Sequence, residues 1–565
     1  MQTKNILAPI SHLLTLERKD LIVILWLTLA IGILNLATPL AVQTLVNIVT
    51  MGGVIKPLIV VSFVLFVLLV LSGLIHMVEL VIVEYIKRRI YASNVTQMTK
   101  RILKIDLKVS DTHYPAELMN RYFDLGSVQT AFYSLITVGL TAVLHAIIGS
   151  IVLIIYSFYF AVIVFLVLLA TWFIVRVLGR QAINTAVAES YAKYDTGAWL
   201  ENIANNSNLF KFSDGENYAI KGSDKLIVEY LHRRQSHFSI LLKQNIITVI
   251  IYALAGTVML GIGGWLVMRA EINLGQFVAA ELIIFTVLGS FSNFVKQLSN
   301  YYELVAGLDK LEVVKTIDIE PSGKHEFNQN HALAVRLKNV SYQFNASNQP
   351  ITNFSLVIAA NEKLAILADA GMGKTTLAEL ITGLRLPTEG QIIINDVDLR
   401  LCNLPNLRQK MNLSRRIEIQ QTSILNNLQL NNPNIKLEEV NALLKRLDLL
   451  DVILDLPEGL DTELTVMGTP LSTVQVKLIM IARALLQTPK LLILDGLLDE
   501  IDATSAQLVC RILSELSDCT VVVMTRSTAI AQHFTRIIKW NDFGADNEQV
   551  QQTLLTDSSM QDGGQ

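Results

Sequence analysis

Lys374 and Thr375 stand at the end of a short turn, Ala368-Asp369-Ala370-Gly371-Met372-Gly373, that follows the apolar run Leu364-Ala365-Ile366-Leu367 and precedes the helical pattern Thr376-Leu377-Ala378-Glu379-Leu380-Ile381. Strand, glycine-containing turn and helix in that order form a phosphate cradle. Backbone N–H groups and the helix N-terminus converge on anionic oxygens, the lysine adds a point charge, and the threonine hydroxyl suits Mg²⁺. Residues 368–376 are therefore expected to bind ATP, with Thr375 as a magnesium ligand. Ala368 departs from the G-x-x-x-x-G-K-[ST] pattern at its first glycine, and a methyl group there need not block the turn. Binding a triphosphate does not entail hydrolysing it.

What must position this cradle is a chain of 565 residues, too long for one compact domain; at 52% hydrophobic residues it is also too apolar to be wholly soluble. The formal charge of -3 gives no bulk attraction to nucleic acid, and none is expected as a partner. Cys402, Cys510 and Cys519 lack metal-ligand spacing and read as reduced thiols. No cleavable secretion signal is evident, since the first apolar run is longer than a signal-peptide core.

Residues 1–20 could form an amphipathic segment at the lipid surface or a frayed lead-in. Apolar segments at 21–49, 58–86, 131–155, 156–178, 246–268 and 273–295 each reach the roughly 20 residues that cross a bilayer. The two long connections, after the second and fourth, are rich in Lys and Arg (Lys87, Arg88, Arg89, Lys100 and Arg101; Arg176, Arg180, Lys211, Arg233 and Arg234). The positive-inside rule puts both connections and both termini in the cytoplasm. Stretches 86–107 and 187–203 read as helices continuing out of the bilayer. His76, Glu79, His145 and Glu281 are ionisable residues at membrane depth. Glu79 is expected near a solvated span end, His145 in an interhelical hydrogen bond or a transport role, and Glu281 against a partner or a wet cavity.

Residues 316–332, punctuated by Pro321 and Gly323, mark a linker between a 21–315 membrane domain and a 333–543 α/β domain, and 544–565 reads as a disordered tail. Strands are expected at 334–337, 364–367, 391–394, 491–494 and 520–524, and helices at 374–383, 438–447, 475–487 and 503–516.

Six spans with two long cytoplasmic connections, a phosphate loop, the run Leu456-Pro457-Glu458-Gly459-Leu460-Asp461 and Ile481-Ala482-Arg483-Ala484-Leu485 leading to Leu491-Leu492-Ile493-Leu494-Asp495 resemble a half-transporter of the ATP-binding cassette exporters. The resemblance implies a six-helix all-α transmembrane domain fused to an α/β P-loop nucleotide-binding domain. Leu274–Leu282 and Tyr301–Leu311 resemble the sixth-helix region of type I secretion exporters. By that resemblance Asp495 holds Mg²⁺ with Thr375, Phe344 stacks on adenine, and Asp502 lies in the loop crossing between subunits. His113–Tyr122 and Asn205–Glu216 are similar to the two coupling helices. Ser472 and Gln475, in Leu471-Ser472-Thr473-Val474-Gln475, fall in the signature segment, which in the family resembles Leu-Ser-Gly-Gly-Gln and closes over the partner's nucleotide.

The departures fall on catalysis. Thr473 and Val474 replace both signature glycines and crowd the approach of backbone to phosphate. Gly496 stands where the water-positioning glutamate is expected, and loss of a general base costs about 10²–10⁴-fold in rate. Arg526 stands where a histidine is expected; it could hold a phosphate but cannot shuttle a proton. Arg415 or Arg416 falls where a glutamine is expected, and Gln420 and Gln421 come too late to replace it.

Two such chains would have both composite sites defective twice over. The resemblance therefore implies a heterodimer with a motif-complete second half-transporter, a homodimer remaining open, in a bacterial-type inner membrane. A periplasmic adaptor and a polypeptide or peptide substrate are further implications, with amphiphiles and lipids also open. Only about twenty residues precede the first span, so no N-terminal peptidase-like domain is expected. Two functions stay open: an exporter subunit that binds ATP while its partner hydrolyses it, and a pseudo-ATPase that regulates or scaffolds a membrane assembly without driving transport.

Overall fold

The computed structural model describes residues 15, 17–50, 55–111, 118–328, 330–343 and 351–540. Most of the amphipathic segment expected over 1–20 falls outside the described residues, as do half of the first coupling segment, the expected adenine-stacking Phe344 and the tail 544–565. The chain forms two compact units, 1–105 with 112–318 and 106–111 with 319–565.

The first unit is all helix. Its six candidate spans cover Arg18–Thr50, Ile55–Ile102, Asn120–Tyr156, Phe158–Asn205, Gly215–Met268 and Leu274–Thr316. The first is broken into α1 (Arg18–Asn35) and α2 (Ala37–Thr50) because Pro39 has no N–H for the Asn35 carbonyl. Helix α3 (Ile55–Ile102) has 48 residues, about 70 Å of helix against a hydrocarbon core of about 30 Å. It ends five residues short of the expected Leu107, where Asp106 caps a separate turn by accepting from Lys108 N at 2.9 Å.

A π-turn joins α4 (Asp124–Ser134) to α5 (Leu140–Tyr156). Extended Ser157 then separates α5 from α6 (Phe158–Phe173), which runs through a second π-turn into α7 (Gly179–Asn205). Helices α8 (Gly215–Met268) and α9 (Leu274–Thr316) complete the unit, α9 opening on an Asn273/Gln276 capping box. Helix α9 is the buried spine of the unit. Gly149 lets α5 approach it closely, since a Cβ there would stand 2.6 Å from Val287. The outward faces carry Trp26, Phe63, Phe66, Phe165 and Trp172, all exposed, as lipid-facing residues would be.

Three of the four ionisable residues at membrane depth, His76, Glu79 and His145, have polar side-chain partners. Glu79 is fully buried, which corrects the expectation of a solvated span end. It accepts from Thr28 Oγ1 on α1 at 3.0 Å and lies 3.2 Å from His76 Nδ1, so side chains of two helices replace the water that a span end would supply. His145 Nε2 meets Asn35 Nδ2 at 3.1 Å, an interhelical hydrogen bond, and Asn35 in turn accepts from Ser72. Glu281 is half-buried.

The second unit is α/β. Strands β1 (Val335–Tyr342), β2 (Ile351–Ile358), β3 (Lys363–Leu367), β4 (Glu389–Ile394), β5 (Val397–Asp398), β6 (Met411–Ser414), β7 (Leu491–Asp495), β8 (Thr520–Thr525) and β9 (Arg536–Lys539) form two sheets. The antiparallel sheet runs β2-β1-β4-β5; the parallel one runs β6-β7-β8-β3-β9. The central parallel strands β3, β7 and β8 are largely apolar runs buried on both faces, as crossover helices require. Helices α10 (Lys374–Ile381), α11 (Thr473–Leu486) and α12 (Ala503–Glu515) follow or precede them. Helix α11 starts two residues before the expected 475 because Ser472 caps it. The order β7-β8-β3 brings the carboxyl ends of three strands to one edge, where a ligand binds in open α/β sheets.

Candidate nucleotide site

At that edge the turn after β3 carries two residues in the left-handed region, Gly371 at φ +80° and Gly373 at φ +104°, where a β-carbon is strained. Ala368 lies outside that region and is buried, its N–H donating to Thr525 O of β8 at 3.1 Å, which is why alanine serves where the pattern has glycine. Asp369, Ala370 and Gly371 are exposed along the turn, Met372 is half-buried, and Thr376 is buried in the first turn of α10. Lys374 Nζ donates to Ala368 O at 2.5 Å and Asp369 O at 2.9 Å. Burial holds its ammonium below the usual lysine range, against the attraction of Asp499 and Asp495.

Thr375 Oγ1 donates to Asp495 Oδ2 at 2.5 Å, so the two expected magnesium ligands are together. Asp495 is buried, and desolvation pushes its carboxyl above the usual carboxylate range although the Thr375 hydrogen bond opposes this. Among the described residues no cluster of three or more His, Cys, Asp or Glu could hold a metal. A hydroxyl and one carboxylate beside a phosphate loop nevertheless fit Mg²⁺, which takes few protein ligands and completes its shell with phosphate oxygens and water.

Gly496, directly after Asp495, is left-handed at φ +71°, and a Cβ there would meet nothing within 4 Å. The place of the expected glutamate is thus open space. Arg526 follows β8, its backbone N–H donating to Asp499 Oδ2 at 3.0 Å and its Nε 3.7 Å from the same oxygen. Ser472 and Gln475 form a reciprocal capping box, Gln475 N donating to Ser472 Oγ at 3.3 Å and Ser472 N to Gln475 Oε1 at 2.8 Å. Their bonds serve the helix start and leave the Ser472 hydroxyl hydrogen available. Asp502 caps α12 by accepting from Ser505 N at 2.9 Å.

Where a glutamine is expected, Arg415 forms an ion pair with Glu379 of α10, while Arg416 pairs with Glu418 at 3.2 Å. Gln420 is held through its backbone by Asn427. The sequence reading missed Glu379, Arg385 and Asp499. Glu379, also buried, takes Arg385 Nε at 2.5 Å, and Arg385 makes a bidentate pair with Asp111 at 2.7 Å for each contact. Asp111 comes from the connection after α3 but belongs to the second unit. A glutamate inside an apolar helix was the one signal of this network, and its partners are remote in sequence.

Membrane helices followed by a parallel-sheet domain with this cradle define an ATP-binding cassette protein. Residues 21–291 match the ABC transporter transmembrane region and 351–498 the ABC transporter family. The chain belongs to the ABC transporters and is a multi-pass membrane protein. It is 31% identical over 307 residues to the lactococcin-A transport/processing ATP-binding protein LcnC of Lactococcus lactis subsp. lactis, covering 52% of this chain and 41% of that one. It is 26% identical over 282 residues to the alpha-hemolysin translocation ATP-binding protein HlyB of Escherichia coli O157:H7, covering 49% and 40%. The chain thus spans about two fifths of the length of these two relatives. A bacterial Atm1-family ABC exporter solved with ATP bound shares the fold, with a TM-score of 0.79, 20% identity and coverage of 93% of this chain and 94% of that one.

Proposed function

We propose that this chain is the nucleotide-holding subunit of an ABC exporter, paired with a second half-transporter that carries the hydrolytic residues. The observation that carries the reading is Gly496: the residue after Asp495 offers no side chain, and open space adjoins it. Gly371, Gly373 and the start of α10 present backbone N–H groups to phosphate, Lys374 supplies charge, and Thr375 with Asp495 holds Mg²⁺, which neutralises the charge on the phosphates when bound. Arg526 adds a cation but no base. The site therefore favours binding over turnover, and binding favours closure of a cassette pair, the step that drives alternating access.

The partner's own glutamate and histidine would operate at the other composite site, which this chain completes with Ser472, Thr473 and Val474. The secretion relatives suggest a polypeptide or peptide cargo. Localisation in a bacterial-type inner membrane with cytoplasmic termini, and a periplasmic adaptor, belong to the same proposal. The test is to purify the chain alone and with a motif-complete half-transporter. Binding of Mg·ATP by both preparations, with turnover and cargo movement only in the pair, is expected. Brisk ATPase from the lone chain would refute the holding role; binding and partner stimulation without cargo movement would favour a regulatory pseudo-ATPase.

A further inference from the structure

We propose that Asp499 positions Arg526 to read the γ-phosphate, so that the two together give this cassette its preference for a nucleoside triphosphate over a diphosphate. The inference rests on the nucleotide-binding reading above and adds a positioning residue to it. Asp499 lies on the short helix Leu497–Glu500 that left-handed Gly496 opens, and its side chain is 7% exposed. Its carboxylate gathers the end of β8: Oδ1 accepts from the Thr525 hydroxyl and Oδ2 from Arg526 N at 3.0 Å, while Thr525 Oγ1 itself accepts from Ser527 N at 3.0 Å. The backbone that carries Arg526 is thereby fixed on the strand adjoining β3, and that strand is bonded to the phosphate loop through Ala368 N.

The side chain lies beside the same carboxylate. Asp499 Oδ2 lies 3.7 Å from Arg526 Nε, so the carboxylate faces the stem side of the guanidinium and leaves both Nη groups without a protein acceptor among the described residues. The Arg526 side chain is 55% exposed, within reach of a ligand. Both charges are felt at Lys374, Asp499 as its strongest attraction and Arg526 as a repulsion, which places the arginine in the electrostatic neighbourhood of the phosphate loop. A carboxylate behind a guanidinium pre-orients its planar fork and lowers the entropy lost when the fork takes a phosphate. A diphosphate offers the loop and Lys374 what they need; only a third phosphate gives Arg526 an additional acceptor.

The test is calorimetric titration of the full chain in lipid nanodiscs with Mg·ATP and with Mg·ADP, for the wild type, Arg526→Ala, Asp499→Asn and the double variant. Asparagine removes the charge; its Oδ1 can still accept from Arg526 N–H, while its NH₂ group can donate to the Thr525 hydroxyl in a reversed bond. A charge-assisted hydrogen bond corresponds to roughly ten- to hundredfold in affinity. Arg526→Ala is thus expected to weaken ATP by about tenfold or more and ADP by less than about twofold. Asp499→Asn should move the ATP/ADP ratio the same way, and the double variant should be no weaker than Arg526→Ala. An Asp499→Asn protein with an unchanged ratio, or one that loses both nucleotides equally, overturns the positioning role. A wild type that binds neither nucleotide sinks the nucleotide-binding reading itself.

Discussion

Two adjacent residues at the end of β7 pull stability and function apart. Asp495 is buried, and desolvation holds its carboxyl above the usual carboxylate range. A raised carboxyl pKa leaves the fold unaffected below the ordinary aspartate value and costs stability as pH rises through the shifted one. Asp495→Asn should therefore raise the melting temperature of the nucleotide-free chain at pH 7 more than at pH 4, while abolishing Mg²⁺-dependent ATP binding. Equal shifts at both pH values would count against it. Gly496→Glu puts a carboxylate into open space at φ +71°, with about 1–2 kcal/mol of left-handed strain. It should bring measurable phosphate release to the lone chain at a lowered melting temperature; unchanged turnover would show that more than this carboxylate is missing. The three thiols, pushed up to about 11 by burial, should resist iodoacetamide at pH 7 until the chain is unfolded.

At the scale of elements, α10 and α11 show how helix starts are shared between folding and ligand. Ser472 caps α11, so Ser472→Ala should cost about 1 kcal/mol by denaturant titration even without nucleotide. A loss appearing only with ATP would assign the serine to the ligand alone. Helix α10 carries Glu379, to which Arg385 and Arg415 are both paired. Truncating one partner of a buried ion pair typically costs about 3–5 kcal/mol, because the other charge is left uncompensated. Arg385→Met should thus destabilise the cassette by that order, and Arg385→Met with Glu379→Leu by less than the sum of the two single changes. Additive losses would show that the two charges do not depend on each other.

For the whole molecule, the outcome turns on which composite site retains chemistry. On the proposed reading, this chain holds nucleotide and offers a signature segment without its glycines, so a partner's cassette would hydrolyse while this one stayed occupied. In a reconstituted pair, Lys374→Ala here should lower steady-state turnover severalfold through lost occupancy, whereas the same change in the partner should remove it. Equal effects of the two changes in ATPase assays would argue for equivalent sites.

The pairing of Thr375 with Asp495, 120 residues apart, was implied only by the family resemblance, whereas the sequence alone determined the six apolar helices and the P-loop architecture. Each depends on local periodicity or on a strand–turn–helix whose residues follow one another in the chain. Four of the nine described strands, β2, β5, β6 and β9, are not expected from the sequence, since strands gain their stability from neighbours remote in sequence. Only the tertiary structure decided that Glu79 is sealed between helices rather than wet, that Glu379 anchors two arginines, and that Asp499 gathers Thr525 and Arg526. A carboxylate looks the same in sequence whether solvated or buried. Its partners, separated here by as many as 51 residues, are chosen by how helices and strands pack.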